Sequence, residues 1–243
     1  MAGGRGSRLA PYTTVLPKPL MPIGDRPILD VLINQLVASA VERVTISVGP
    51  LSGLIESWVR HHGDYGIPLD FVYEETPLGT AGALANVARP SGTFLALNGD
   101  VLTTLDFQAL RDHHRGTGAL ATMAIKERVV DVQYGVVHRH GDGRIARLEE
   151  KPQLRFTVSM GIYAMEPEII DLIGPGERID FPDLLLRAIE RGHPVQTLPF
   201  DGYWRDIGNR LDYEEAVRDF EADPARFMPA EAPSAGTRSA TAG

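Results

Sequence analysis

The first half of the chain alternates between helical and strand patterns, and this alternation restricts the fold more than any other feature. Apolar residues recur at helical spacing over residues 27–40, and the β-branched run Val44–Val48 follows before a glycine and a proline. The same alternation predicts helices over about residues 52–62, 81–88 and 106–115, with strands at 69–73 and 93–97. Repeated strand and helix units favour a largely parallel sheet that helices cover on both faces.

The second half of the chain begins with strand patterns that glycine-rich turns separate. The predicted strands lie at 119–126, 134–139, 144–149 and 157–164, which indicates an antiparallel extension of the sheet. Two further helices, over 181–191 and 209–220, flank a strand at 195–200. One domain over residues 1–222 is the expected organisation. The rest, 223–243, is rich in proline, alanine and serine and is expected to be a disordered tail.

Composition excludes several classes of function. Acidic residues outnumber basic ones by 32 to 24, so the net charge of −8 offers no footprint for nucleic acid. The absence of cysteine excludes disulfides, thiol catalysis and cysteine-type zinc sites. No apolar run approaches the roughly 18 residues of a membrane span. We therefore expect a cytoplasmic protein that binds neither nucleic acid nor membranes.

Two stretches near the N-terminus have the composition of an anion site. Gly3-Gly4-Arg5-Gly6-Ser7-Arg8 combines glycines, whose backbone can approach an anion closely, with two guanidinium groups. Taken alone, a flexible leader explains this stretch equally well, because its spacing matches neither of the common glycine-rich phosphate loops. Further on, Lys18 lies between two prolines, which favour an extended and stiff segment that would hold the lysine in place.

Two aspartates are candidates for a metal site. Asp100 follows an apolar strand at 93–97, and ligands bind at the carboxyl ends of strands in open α/β sheets. Mg²⁺ prefers one or two carboxylates together with substrate phosphates, and Asp206 is the candidate for the second. The structural alternatives are a turn at Asp100 and a helix cap at Asp206.

Taken together, these stretches resemble the sugar-1-phosphate nucleotidylyltransferases, and the mannose-1-phosphate and heptose-1-phosphate guanylyltransferase branch in particular. The resemblance extends over roughly residues 2–217 and includes Pro17-Lys18-Pro19-Leu20, Asn98-Gly99-Asp100, Glu149-Glu150-Lys151-Pro152 and Trp204-Arg205-Asp206. It implies a Rossmann-like three-layer α/β/α nucleotidyltransferase fold, with a mixed, mostly parallel central sheet and an antiparallel extension. It also implies an enzyme that forms an NDP-sugar and pyrophosphate from an NTP and a sugar 1-phosphate, with Mg²⁺ as cofactor.

The resemblance assigns roles to individual residues. Gly3 and Gly4 would line the nucleotide, and Asp100 and Asp206 would bind Mg²⁺. The residues expected to act in catalysis are Arg8, Lys18, Asp100 and Lys151.

The stretch from Tyr73 to Gly82 resembles the family's base-recognition segment. Glu74 is the predicted contact to the base, with Glu75 as the alternative, and Gly79 and Thr80 are expected to contact the nucleotide. An acceptor-only carboxylate matches the two adjacent donors on the edge of guanine, which favours GTP. Because some short uridylyl relatives also carry glutamate here, thymidylyl and uridylyl transfer remain open.

Four residues are expected to bind the sugar phosphate by resemblance: Gly135, Glu150, Lys151 and Ser159. Ser159 stands where many relatives have asparagine, so the sugar cannot be transferred from the better-known branches. The rival functions are a catalytically silent regulatory subunit that binds sugar nucleotides and a glycosyltransferase. Whether the chain forms a homo-oligomer is also left open.

The N-terminus departs from the family pattern. Relatives enter the glycine-rich loop from a short apolar strand at the centre of the sheet, whereas Met1 falls almost at the first glycine here. We therefore expect that a form extended upstream by about 5–6 apolar residues, a usual strand length, is more stable and more active.

Overall fold

The computed structural model describes Met1 and residues 7–9, 11–49, 52–62 and 64–228. The strands in these residues are β1 Pro22–Ile23, β2 Arg26–Pro27, β3 Val44–Val48, β4 Leu69–Tyr73, β5 Phe94–Leu97, β6 Val101–Thr103, β7 Ala121–Asp131, β8 Val136–Arg139, β9 Ile145–Glu149, β10 Gln153–Met165, β11 Val195–Pro199 and β12 Trp204–Asp206. The α-helices are α1 Ile28–Ala38, α2 Ser52–His62, α3 Phe107–Thr117, α4 Phe181–Glu190 and α5 Arg210–Ala222. Short 3₁₀ helices lie at Ser7–Leu9, Tyr12–Thr14, Lys18–Leu20, Gly82–Asn86, Pro167–Leu172 and Pro224–Arg226. Among the described helices, none has the length and hydropathy needed to cross a membrane.

The strands combine parallel and antiparallel pairs. A four-stranded sheet has the order β11, β7, β10, β5; β7 and β11 are parallel, and β10 runs antiparallel to both of its neighbours. The strands β3 and β4 form a separate parallel pair, and β6 pairs antiparallel with β12. The hairpin of β8 and β9 follows the far end of β7, beside the long antiparallel pair of β7 and β10. The predicted mixed sheet with an antiparallel extension is thereby confirmed.

Helices cover both faces of the four-stranded sheet because side chains alternate between its faces. Along β10, Ile162 and Ala164 belong to one core cluster together with buried residues of α1 and α5. Tyr163 and Met165 point the other way and belong to a second cluster, which includes buried residues of α4. Each face removes its apolar side chains from water, at about 25 cal/mol for each Å² buried. The predicted three-layer α/β/α class is confirmed.

Two local predictions need correction. The helix expected over residues 81–88 is a shorter 3₁₀ helix, Gly82–Asn86, whose first turn is tied to another element: the backbone N–H groups of Ala81 and Gly82 both donate to the carbonyl of Ile179. Lys18–Leu20 is also a 3₁₀ turn and not an extended segment. The φ that proline imposes suits either conformation, so the proline pattern alone did not decide between them.

The folded region continues beyond residue 222. Phe227 is buried, and its ring lies 5.0 Å from the ring of Tyr203 and 5.7 Å from that of Phe220. The amide of Gln35 also donates to the carbonyl of Phe227 over 2.7 Å. Phe227 therefore belongs to the core, and the folded residues continue past the predicted boundary at 222 as far as residue 228. The remainder of the predicted tail, 229–243, lies outside the described residues.

A cavity of about 680 Å³ lies between β3 and β5, whose facing edges are not paired with each other. Apolar residues of α1, including Leu29, Ile33 and Leu36, line it. Met1 is at its border: its nitrogen donates to the carbonyl of Leu97 over 2.8 Å, and its carbonyl accepts from the N–H of Gly99 over 2.9 Å. This is the hydrogen-bond pattern of a residue that runs parallel to β5.

Candidate functional site

The pairing of β6 with β12 brings together two aspartates that are far apart in the chain. Asp100 directly precedes β6, and Asp206 is the last residue of β12, where it pairs with Val101. The N–H of Ile207 donates to the carbonyl of Asp100 over 3.0 Å and extends this pairing to the turn. The structure thus places both predicted metal ligands at the same edge.

Lys18 lies between these two carboxylates. Its ammonium group forms a hydrogen-bonded ion pair with Asp100, and Asp206 is the second partner at 3.7 Å. The partial burial of Asp206 and the nearby charge of Asp100 raise the pKa of the Asp206 carboxyl above its usual range, while Lys18 and Arg8 act in the opposite direction. Two anions are therefore held close together by cations, which is the arrangement of a site prepared for a positive ion or for phosphate groups.

Arg205 holds β12 in place, although the sequence analysis did not single it out. Its guanidinium group forms ion pairs with three carboxylates of α5. The closest is Glu215, and Asp212 and Asp219 lie 3.2 Å and 3.7 Å away. The three carboxylates recur at helical spacing on one face of α5. That spacing, a short distance after Arg205 in the chain, was the available signal for a contact between β12 and α5.

The turn of Asp100 also contacts the predicted sugar side of the site. The N–H of Asn98 donates to the carbonyl of Gly161 over 2.9 Å, and Gly161 has a positive φ of 68°. A side chain at Gly161 would overlap the amide of Asn98, so glycine is required for this approach. The hydroxyl of Ser159 accepts from the N–H of Gly161 and lies 3.2 Å from the hydroxyl of Tyr163. Ser159 is therefore connected to the turn of Asp100 through Gly161 and Asn98.

The other predicted sugar residues form a second group at the hairpin beyond β7. A Cβ at Gly135 would lie 3.2 Å from the carboxylate of Glu150, so these two residues are neighbours. Lys151 follows with a positive φ of 44°, a conformation that few residues other than glycine adopt. Glu150 and Lys151 are both exposed. The side chain of Lys151 is thus presented to solvent by a strained turn.

The residues predicted to bind the nucleotide form a third group, and internal contacts hold them. One oxygen of Glu74 accepts from the hydroxyl of Ser47 over 2.5 Å, and the other accepts from the N–H of Leu78 over 3.0 Å. The N–H of Thr80 donates to Asp180 over 2.7 Å, and the Thr80 hydroxyl accepts from the N–H of Phe181 over 3.0 Å. The bonds of Thr80 fasten the loop after β4 to the start of α4, and those of Glu74 fasten it to β3 and to itself.

Gly79 packs against this same segment. Its φ is +80°, and a Cβ there would lie 2.5 Å from the carbonyl oxygen of Ile179. Close contact with Ile179 and Asp180 accounts for this glycine, and Glu75 is the exposed carboxylate next to Glu74. Gly3 and Gly4 lie outside the described residues.

The two aspartates suit Mg²⁺, which usually takes one or two protein carboxylates and completes its shell with water and substrate phosphates. Asp100 and Asp206 both lie around one cation, Lys18, so both carboxylates can reach a common point. In the part of the chain that the structure describes, no group of three or more His, Cys, Asp or Glu side chains is placed to hold a metal. The donor set therefore matches a metal that shares its coordination with a phosphorylated substrate.

Comparison with known proteins identifies related chains. The family model described as nucleotidyl transferase matches residues 1–223. A UTP–glucose-1-phosphate uridylyltransferase of Synechocystis is 32% identical over 238 residues, which cover 90% of this chain and 61% of that protein. A mannose-1-phosphate guanyltransferase of Yarrowia lipolytica is 32% identical over 226 residues, 88% of this chain and 61% of that protein. The chain thus spans about three fifths of the length of these curated relatives.

Solved structures share the fold. The crystal structure of HddC from Yersinia pseudotuberculosis complexed with GMP-PN superimposes with a TM-score of 0.68 at 26% identity, and the match covers 90% of this chain and 96% of HddC. The two chains therefore share their fold over nearly all of their length.

Proposed function

This chain belongs to the nucleotidyl transferase family, and from that premise we propose that it is a sugar-1-phosphate nucleotidylyltransferase. It transfers the nucleoside monophosphate of an NTP, preferentially GTP, to a sugar 1-phosphate of the mannose or heptose type, and it releases pyrophosphate. The observation that carries the proposal is the meeting of Lys18, Asp100 and Asp206 at one edge of the fold.

The reaction requires positioning and charge neutralisation more than proton transfer. A phosphate oxygen of the sugar 1-phosphate, which is anionic near neutral pH, attacks the α-phosphorus of the NTP in line, and the bond to the leaving pyrophosphate breaks. No general base is needed for this nucleophile. Lys18 and Arg8 offset the charge of the NTP phosphates, and Lys151, a compact cation, binds the phosphate of the sugar.

Asp100 and Asp206 would hold Mg²⁺. When bound, the ion supplies positive charge to the phosphate oxygens and orients them. The two carboxylates repel each other at this separation, and Lys18 offsets that repulsion in the protein itself.

The choice of GTP is supported by the guanyltransferases among the relatives and by the complex of HddC with GMP-PN. Both oxygens of Glu74 already accept a hydrogen bond within the protein. Glu74 would therefore position the loop, and the exposed Glu75 would present its carboxylate to the two donors of guanine.

A second candidate is uridylyl transfer to a sugar 1-phosphate. Its support is the uridylyltransferase of Synechocystis, whose 32% identity equals that of the guanyltransferase.

The test is the release of pyrophosphate in the presence of Mg²⁺ from each NTP combined with mannose 1-phosphate, a heptose 1-phosphate and glucose 1-phosphate. We expect the fastest release from GTP with a mannose- or heptose-type substrate. The fastest release from UTP would establish the second candidate. Binding of NDP-sugars without turnover of any pair would instead establish a regulatory subunit, and transfer from a UDP-sugar without pyrophosphate release would establish a glycosyltransferase.

A further inference from the structure

A second cavity, of about 370 Å³, lies directly beside Asp206. Arg8 and Arg128 both line it, and the ring of Trp204 and the exposed ring of Phe156 contribute apolar walls. The cavity therefore joins the carboxylate edge of the site to a surface with two guanidinium groups. Arg128 belongs to no motif that the sequence analysis recognised.

The fold positions Arg128 over this cavity. It lies on β7 directly opposite Phe156 of β10, and its guanidinium carbon is 6.0 Å from the centre of the Trp204 ring. A guanidinium group at this distance from an indole face is attracted by the ring, which restricts its orientation while its N–H groups stay available. Trp204 is itself held by a hydrogen bond from its indole N–H to the carbonyl of Met160, over 2.9 Å.

The acidic side chains at this cavity already have cationic partners. Asp206 faces Lys18, and Asp212 accepts hydrogen bonds from Arg205 and from Asn209. Within the described residues, neither Arg8 nor Arg128 forms a side-chain hydrogen bond or an ion pair within 4.0 Å. Two arginines that form no ion pair within 4.0 Å among the described residues thus line one cavity, in a chain whose net charge is −8. This arrangement indicates a polyanionic ligand.

Side-chain alternation indicates which part of the substrates lies here. Arg128, Phe156 and Val158 lie on one face of the β7–β10 pair. Ser159 follows Val158 in the same strand and points to the opposite face, where it contacts Tyr163. The proposed function places the sugar phosphate on the Ser159 face. The cavity of Arg128, on the other face, is then left for the phosphate groups of the NTP.

We propose that Arg128 is a phosphate-binding residue that, together with Arg8, holds the β- and γ-phosphates of the NTP and the pyrophosphate formed from them. Two guanidinium groups at one cavity match two linked phosphoryl groups, because each phosphoryl group can accept a pair of hydrogen bonds from one guanidinium group. The assignment of the reaction to these phosphates rests on the proposed function. The binding of pyrophosphate itself can be tested without it.

The test is a calorimetric titration of inorganic pyrophosphate, with Mg²⁺ present, into the full chain and three variants. Arg128→Met should weaken the affinity about 10- to 100-fold, the usual loss when a charged hydrogen-bonding group is removed, and Arg128→Lys should weaken it less. Arg155→Met is the matched control. Arg155 lies on the neighbouring strand β10, points to the opposite face and pairs with Glu127, so its loss should leave the affinity unchanged. Arg128 is exposed, and an unchanged melting temperature would establish that the variants are folded.

Steady-state kinetics separate this role from one at the sugar phosphate. In Arg128→Met, the KM for the NTP should rise while the KM for the sugar 1-phosphate stays as in the wild type. The proposal is overturned if Arg128→Met binds pyrophosphate as tightly as the wild type does, or if the wild type does not bind pyrophosphate. It is also overturned if only the KM for the sugar 1-phosphate rises in Arg128→Met. A wild type that binds pyrophosphate through Arg128 yet releases none from any substrate pair would instead overturn the proposed function.

Discussion

At the scale of single residues, the site depends on charges that balance one another over short distances. Asp100 and Asp206 would repel each other strongly if no cation stood between them; burial first and the charge of Asp100 second raise the pKa of the Asp206 carboxyl. Lys18 contacts both carboxylates and keeps them in place. A substitution that removes one charge while keeping the shape of the side chain is therefore the most direct test of each role.

We expect Asp100→Asn to lower kcat/KM by about 10²- to 10³-fold, the usual loss when one preorganised electrostatic contact to a reacting group is removed. The amide keeps the shape of the side chain but supplies a weaker ligand for Mg²⁺. Asp112→Asn is the control, because Asp112 is an exposed residue of α3 away from the site. Full activity of Asp100→Asn in the pyrophosphate-release assay would show that the metal role is wrong.

A second residue-scale prediction concerns two glycines that share a left-handed backbone but differ in their surroundings. An alanine at Gly79 would meet both a φ of +80° and the carbonyl of Ile179, whereas Gly66 has a φ of +71° and open space around it. Backbone strain of this kind costs about 1–3 kcal/mol. Gly79→Ala should therefore lower the melting temperature more than Gly66→Ala does. Equal losses in thermal unfolding would mean that the contact with Ile179 contributes nothing beyond the strain in φ.

At the scale of elements, an ion pair between Arg187 and Glu177 joins α4 to the loop before it. Glu177 accepts from both terminal nitrogens of Arg187 at 2.6 and 2.8 Å, and the N–H of Gly174 donates to it as well. The hydrogen bonds from Arg187, followed by that from Gly174, lower the pKa of Glu177 from 4.5 to about 2. Because the loop that carries Thr80 is bonded to the start of α4, this ion pair also supports the segment that holds Thr80.

The lowered pKa fixes the sign of a pH dependence. The ionised form of Glu177 is favoured by folding, so its contribution to stability is fully present above pH 4.5 and is lost as the pH falls toward 2. Glu177→Gln should be less stable than the wild type near pH 7, and the difference should narrow as the pH falls below 4.5. Urea unfolding at several pH values measures this difference. A difference in stability between Glu177→Gln and the wild type that stays constant at all pH values would contradict the prediction.

At the scale of the whole molecule, the cavity between β3 and β5 separates two sheets that lie edge to edge. Both edges present backbone groups to a space of about 680 Å³ lined by apolar residues of α1. Residues placed before Met1 would continue along β5, because Met1 already has the hydrogen bonds of a parallel neighbour. One further apolar strand would pair with both edges and cover those residues of α1.

We therefore expect that an extension of about five apolar, β-branched residues before Met1 raises the melting temperature, by about 2–4 °C for each kcal/mol gained. An extension of equal length made of glycine and serine is the control, because it can form the hydrogen bonds but buries no apolar side chains. Thermal unfolding of the three forms decides the matter, and pyrophosphate release shows whether activity follows stability. Equal melting temperatures for the two extensions would mean that the cavity does not accept a strand.

The sequence by itself determined the features that depend on near neighbours. The apolar spacing of α4 predicted a helix over 181–191, and the structure has Phe181–Glu190. The β-branched run Val44–Val48 is a strand with the predicted limits. The resemblance of the motifs identified the family, because those motifs are contiguous stretches of the chain. The roles assigned to single residues at the site stay predictions.

Only the tertiary structure decided which of these stretches meet. Three contacts join residues far apart in the chain: the pairing of Asp206 with the strand after Asp100, the contact of Gly79 with Ile179 and the cation–π approach of Arg128 to Trp204. Periodicity and propensity report only the direction in which a side chain points within its own element. The partner that a side chain contacts depends on how distant strands pair. It also depends on contacts that hold those strands in register, such as those of Arg205 with α5.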